Sequence, residues 1–132
     1  MIRPLLALAI ALLVAPAALA EEAGDATAGA TVFKKCAPCH KVGEGATNGV
    51  GPELNGLFGR PAGSVAGYAY SEANKASGIV WTPEVFGEYI RAPQKMVKGT
   101  KMSFVGLKKD KDVADIIAYL AQFNADGTMK TP

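Results

Sequence analysis

The chain has 132 residues, of which 49% are apolar and 20% charged, with a formal net charge of +2. That length suits one domain; the near balance of 14 Lys and Arg against 12 Asp and Glu says nothing by itself about nucleic acid, and no nucleic-acid partner is expected. Fifteen glycines and eight prolines predict long loops, and a small loop-rich domain usually needs a staple: disulfides, a metal or a bound cofactor.

Taken in chain order, residues 1–20 read as a cleaved secretory signal peptide. Arg3 gives a positive start, Leu5 to Val14 is apolar, and Ala18-Leu19-Ala20 offers a cleavage site before Glu21-Glu22. The alternative is an uncleaved anchor, but Leu5 to Leu19 is shorter than the roughly 20 residues a span needs. Residues 21–132 would form the mature domain, soluble for want of a second long apolar run. Four helical segments follow. The first runs from about Asp25, its cap, to Lys35. The second is short, about Ser71 to Ser77, with Gly78 after it. The third starts at Thr82-Pro83, repeats Val85, Phe86, Tyr89 and Ile90 at helical spacing, and ends near Arg91 because of Pro93. The fourth begins near Asp110, carries the stripe Val113, Ile116, Ile117 and Leu120, and ends around Asn124. No segment alternates as a strand. Two long loops, Val42 to Gly67 and Met96 to Lys109, are expected to wrap something.

Cys36-Ala37-Pro38-Cys39-His40 is the C-x-x-C-H pattern of c-type haem attachment. Two thiols a few residues apart can add across the two vinyl groups on one haem edge, and the next residue then lies beneath the iron. The rival readings are weaker. A thiol–disulfide catalyst would sit in a βαβ context, and zinc would want four ligands, whereas Cys36, Cys39 and His40 are the chain's only Cys and His residues. A structural disulfide across so short a loop would stabilise little. A haem that only passes electrons needs a second axial ligand, and with no second His the natural donor is Met. Met96, Met102 and Met129 are the choices in the mature chain; loop position favours Met102 over Met96, and Met129 lies near the chain end.

Longer stretches carry a resemblance. Gly51-Pro52-Glu53-Leu54-Asn55-Gly56-Leu57-Phe58-Gly59-Arg60, Tyr70-Ser71-Glu72-Ala73-Asn74-Lys75, Gly78-Ile79-Val80-Trp81, Gly99-Thr100-Lys101-Met102 and Ile117-Ala118-Tyr119-Leu120 are similar to class I c-type cytochromes, of the mitochondrial cytochrome c and bacterial cytochrome c2 type. The likeness covers Gly24 to Phe123. It implies a small all-α fold, about four helices and long loops round one haem c bound through Cys36 and Cys39. Iron would be ligated by His40 and Met102. Pro52 would accept a hydrogen bond from His40. Tyr70 and Trp81 would bond the haem propionates, with Arg60 near to balance their charge. Asn74, Tyr89 and Thr100 would form a polar network by the Met102 sulfur, and Phe104 would cover the haem edge. The first and last helices would cross at Gly29, near Tyr119-Leu120. Gln94 departs from the pattern, standing where relatives often carry lysine.

With both axial positions filled there is no open site for a substrate, so the expectation is a one-electron carrier and not an enzyme. Lys34, Lys35 and Lys41 flank the haem motif, and Lys95, Lys98, Lys101, Lys108 and Lys109 flank the methionine loop. They would rim one haem edge and steer it to acidic sites. Asp110, Asp112 and Asp115 suit the start of the last helix. The signal segment suggests a bacterial periplasm, and a monomer is expected. Its donor would be a membrane complex of the bc1 type, and its acceptor a cytochrome oxidase, a photosynthetic reaction centre or a reductase. Two other readings are a gas- or peroxide-binding haem that sheds Met102, and a module tied to one dehydrogenase or reductase.

Overall fold

The structure, a computed structural model, describes residues 23–131, so the expected signal segment lies outside the described residues. Among the described residues five helices follow one another: α1 (Ala26–Phe33), α2 (Glu72–Lys75), α3 (Pro83–Arg91), α4 (Pro93–Met96) and α5 (Asp110–Leu120). Among the described residues there is no strand, only the isolated bridges Pro61–Val80 and Phe123–Met129. The fold is all-α as expected. No helix among the described residues is long and apolar enough to cross a membrane.

The helix starts follow from side-chain caps. Asp25 Oδ1 accepts the N–H groups of Thr27 and Ala28 at 2.8 and 3.2 Å. Ser71 Oγ accepts from Asn74 N, and Thr82 Oγ1 from Val85 N, both at 3.1 Å. Each cap satisfies a donor with no partner inside its helix, worth about 1 kcal/mol. Pro93 both stops α3 and opens α4, the element absent from the sequence expectation. Proline cannot continue the ladder behind it, but its fixed φ suits a first helical position. Helix α5 ends at Leu120 rather than Asn124, passing into a turn closed by Phe123 N–H to Leu120 O at 3.3 Å.

Helices α1 and α5 cross closely because Gly29 has no side chain. A Cβ there would overlap the Asp115 carbonyl and lie 2.6 Å from Tyr119 Cβ. Phe33 meets the Tyr119 ring at 5.2 Å, and Val113, Ile116 and Leu120 bury the apolar stripe of α5. Burying a side chain of that size stabilises by about 1.5–3 kcal/mol. Asp115 departs from expectation. It is 3% exposed and holds the N-terminal segment, accepting Asp25 N–H at 2.8 Å and Lys111 Nζ at 2.9 Å. Only Asp110 and Asp112 lie in the first turn of α5.

Candidate functional site

Just after α1 the chain coils tightly. Cys39 and His40 N–H donate to the Cys36 carbonyl at 3.0 and 2.9 Å, which brings both cysteines and the imidazole to one wall. The Cys39 carbonyl then accepts Gly51 N–H at 2.8 Å, folding the glycine-rich loop under the His40 ring. The approach tolerates no side chain at Gly51, where a Cβ would lie 2.7 Å from His40 Nδ1 and 2.9 Å from Nε2. His40 Nδ1 is 2.7 Å from the Pro52 carbonyl. A carbonyl only accepts, so Nδ1 carries the proton and the Nε2 lone pair is left for a metal. Burial lowers the His40 pKa, which favours the neutral imidazole that ligation requires.

The opposite wall is the loop between α4 and α5. Leu107 N–H donates to the Ile90 carbonyl at 2.8 Å, and Gly106, at a φ of 106°, passes against the Arg91 carbonyl. These contacts pin the loop's return to α3. Within it, Thr100 Oγ1 accepts Met102 N–H at 3.2 Å, and Tyr89 on α3 aims its hydroxyl at Met102 Sδ at 3.1 Å. Burial alone pushes the Tyr89 pKa up to about 12, so the hydroxyl keeps its proton and donates to the sulfur. Of the other two methionines among the described residues, Met96 is 41% exposed and Met129 53%, and neither lines the cavity.

Between the walls lies a cavity of about 480 Å³. The residues expected to attach, ligate or line the haem all border it: Cys36, Cys39, His40, Pro52, Arg60, Tyr70, Asn74, Trp81, Tyr89, Thr100, Met102 and Phe104. Trp81 stacks edge-on with Tyr89 at 4.7 Å. Tyr70 accepts Val65 N–H through its hydroxyl oxygen at 3.1 Å. Arg60 borders the cavity, but its guanidinium N–H groups go to the carbonyls of Asn55 and Glu53, each at 3.0 Å. Asn74 Oδ1 is the one buried side-chain oxygen or nitrogen without a partner among the described residues.

The donor set fits a covalently held haem. Two free thiols, an imidazole Nε2 and a thioether border one largely apolar space, and the unpartnered Asn74 oxygen can accept from a water or group within it. The rivals fit less well. Burial pushes the Cys36 thiol up to about 11, the reverse of the lowered value a thiol–disulfide catalyst uses. No cluster of three or more His, Cys, Asp or Glu side chains among the described residues is placed to hold a metal.

The staples of the long first loop are not announced by the sequence. Asn55 is buried and clamps Gly43 twice, accepting its N–H at 2.8 Å and donating to its carbonyl at 2.9 Å. Asn48 bridges Glu53 N–H and the Ala66 carbonyl. Lys101 Nζ donates to the Ala69 carbonyl and lies 4.6 Å over the Tyr68 ring, whose hydroxyl donates to the Val50 carbonyl. Such side-chain-to-backbone bonds leave no periodic trace. Only the Asn and Gly richness of the loop hints at them.

The cytochrome c family model matches residues 26–124. A cytochrome c2 of Blastochloris viridis is 59% identical over 117 residues, covering 89% of this chain and 89% of that protein. A cytochrome c-550 of Nitrobacter winogradskyi is 56% identical over 107 residues, 81% of this chain and 98% of its own. A cytochrome c of Stellaria longipes is 55% identical over 98 residues, 74% of this chain and 91% of its own. By these matches and by its fold, the chain belongs to the cytochrome c family, as a class I member of the c2 type: an electron carrier with covalent haem c, not an enzyme.

Proposed function

We propose that this chain is a soluble periplasmic shuttle that moves one electron at a time between membrane redox complexes, with Cys36 and Cys39 holding the haem and His40 and Met102 ligating its iron. One observation carries the reading: His40 and Met102 border the same cavity as both cysteines, and each side chain is steadied by a hydrogen bond, from Nδ1 to Pro52 O and from Tyr89 Oη to the sulfur. When bound, haem supplies reversible one-electron chemistry between ferrous and ferric iron.

The residues do the rest. Pro52 fixes the imidazole's tautomer and plane. Thr100 holds the Met102 backbone, and the Tyr89 hydroxyl draws electron density from the sulfur, which favours the ferrous state. A thioether ligand in place of a second imidazole would also raise the potential. Trp81 and Tyr70 would offer N–H and O–H donors to the propionates, Arg60 would balance their charge, and Phe104 would shield the edge from water. Residues 1–20 would direct export and 21–132 form the monomeric domain. The donor would be a bc1-type complex, and the acceptor a cytochrome oxidase, a photosynthetic reaction centre or a reductase. Two of the relatives described above carry the names cytochrome c2 and cytochrome c-550, which supports a bacterial redox carrier.

Substitution of the two candidate methionines tests the ligand assignment. Met102→Ala should abolish the weak far-red absorption of the ferric protein that marks sulfur on iron, while Met96→Ala should keep it. The same band surviving in Met102→Ala would refute the assignment.

A further inference from the structure

Arg60 separates two spaces. One is the haem cavity; the other is an open cleft bordered by Asn48, Glu53, Asn55, Phe58 and Ala66. Arg60 borders both, whereas Glu53 borders only the cleft. Glu53 Oε1 lies 3.6 Å from Arg60 Nη1, and the two side chains are 20% and 15% exposed. Neither can easily swing away. The guanidinium is anchored on the Asn55 and Glu53 carbonyls, and Glu53 Oε2 accepts Asn55 N–H at 2.6 Å. Asn48 holds the Glu53 backbone at 3.0 Å, and Asn55 is clamped to Gly43. The pair is thus fixed, mostly shielded from water, and screened far less by salt than a surface pair.

We infer that Glu53 tunes the reduction potential of the cofactor by offsetting the charge of Arg60 from the side away from the cavity. The inference rests on the haem reading above. Burial works against the Arg60 charge and Glu53 supports it, and a guanidinium does not lose its proton in a protein. A fixed cation in the cavity wall opposes the extra positive charge of ferric iron and raises the potential. A carboxylate beside that cation removes part of the effect. Arg60 without Glu53 would therefore hold the ferrous state too firmly, and Glu53 without Arg60 would do the reverse. As a pair they leave the cavity wall at Arg60 with little net charge. The other role available to the pair is a plain staple between Glu53 and the turn at Gly59-Arg60, and the potential distinguishes the two.

The experiment is spectroelectrochemical titration of the haem-loaded protein and of Glu53→Gln, Glu53→Asp, Arg60→Gln and the Glu53→Gln/Arg60→Gln double variant. Thermal melts are run beside each titration. The parent is first checked for covalent haem and a low-spin spectrum, so failure of the haem reading shows there and not in the variants. Glu53→Gln should raise the ferrous-to-ferric ratio at a fixed applied potential by about three- to tenfold, a tenfold change being about 59 mV for one electron. Glu53→Asp should stay near the parent, Arg60→Gln should fall, and the double variant should return towards the parent. A Glu53→Gln protein that melts earlier yet keeps the parent's potential would make the pair a staple and overturn the inference. So would a Glu53→Asp potential as high as that of Glu53→Gln, because lost packing rather than lost charge would then explain the shift.

Discussion

Tyr89 places one hydroxyl on the sulfur of Met102, and burial keeps that hydroxyl protonated to about pH 12. Tyr89→Phe removes the donor and leaves the ring. The expected result is a lower reduction potential, since the sulfur regains electron density and better tolerates ferric iron. Stability should change by only about 1 kcal/mol. Redox titration beside a denaturant melt checks both; a potential equal to or above the parent's would be inconsistent with donation to the sulfur. At this scale the sequence was most informative where chemistry demands a fixed spacing. The pattern picked out Cys36, Cys39 and His40, and loop position favoured Met102 over Met96; the fold brings these four to one cavity and leaves Met96 outside it. Pro52 could be assigned only by resemblance, because what matters there is a main-chain carbonyl that any residue possesses. The Glu53 carboxylate left no sequence signal, since its meaning depends on where Arg60 falls once the loop has closed.

At the scale of elements, caps and apolar stripes made α1, α3 and α5 readable in advance. Helix α4 was hidden: a single turn, Pro93–Met96, is too short to show a period, and Pro93 announces a stop as readily as a start. Asp115 was legible only as a helix charge, whereas the fold makes it the anchor of the segment entering α1. Its pKa is lowered by the hydrogen bond from Asp25 N–H and then by Lys111. A carboxylate with a lowered folded pKa adds stability above its unfolded value, about 3.9, and loses it as pH falls through the folded pKa. Asp115→Asn should therefore lower the denaturant midpoint at neutral pH, with the gap to the parent closing below about pH 3.9. Equal gaps at pH 7 and in acid would count against the carboxylate as the source.

For the whole molecule, the balance of charges says little and their distribution says more. Lys35 and Lys101 border the cavity, and Lys34, Lys41, Lys95, Lys98 and Lys109 are exposed. Not all of the lysines are free to meet a partner. Lys35 pairs with Asp112 at 3.7 Å, Lys101 is held by Ala69 and Tyr68, and Lys108 reaches the carbonyls of Arg91 and Val105. The positive rim should still accelerate electron exchange with an anionic reagent and slow it with a cationic one, with both effects shrinking as salt shortens the Debye length to about 8 Å at 0.15 M. Stopped-flow rates against salt for the two reagents measure this; identical salt dependence for both would rule out a basic docking edge. The overall wrap was foreseeable from loop length and the single haem motif. The side-chain staples at Asn48, Asn55 and Tyr68 were not, because they join residues distant in sequence to backbone groups that carry no identity.

Closure of the iron on both faces by His40 and Met102 would show in the visible spectrum of the purified protein, oxidised and reduced, with and without carbon monoxide. A low-spin spectrum untouched by carbon monoxide, with the weak far-red sulfur band in the ferric state, is the predicted result. A high-spin spectrum or ready binding of carbon monoxide would show an open iron and contradict the carrier mechanism.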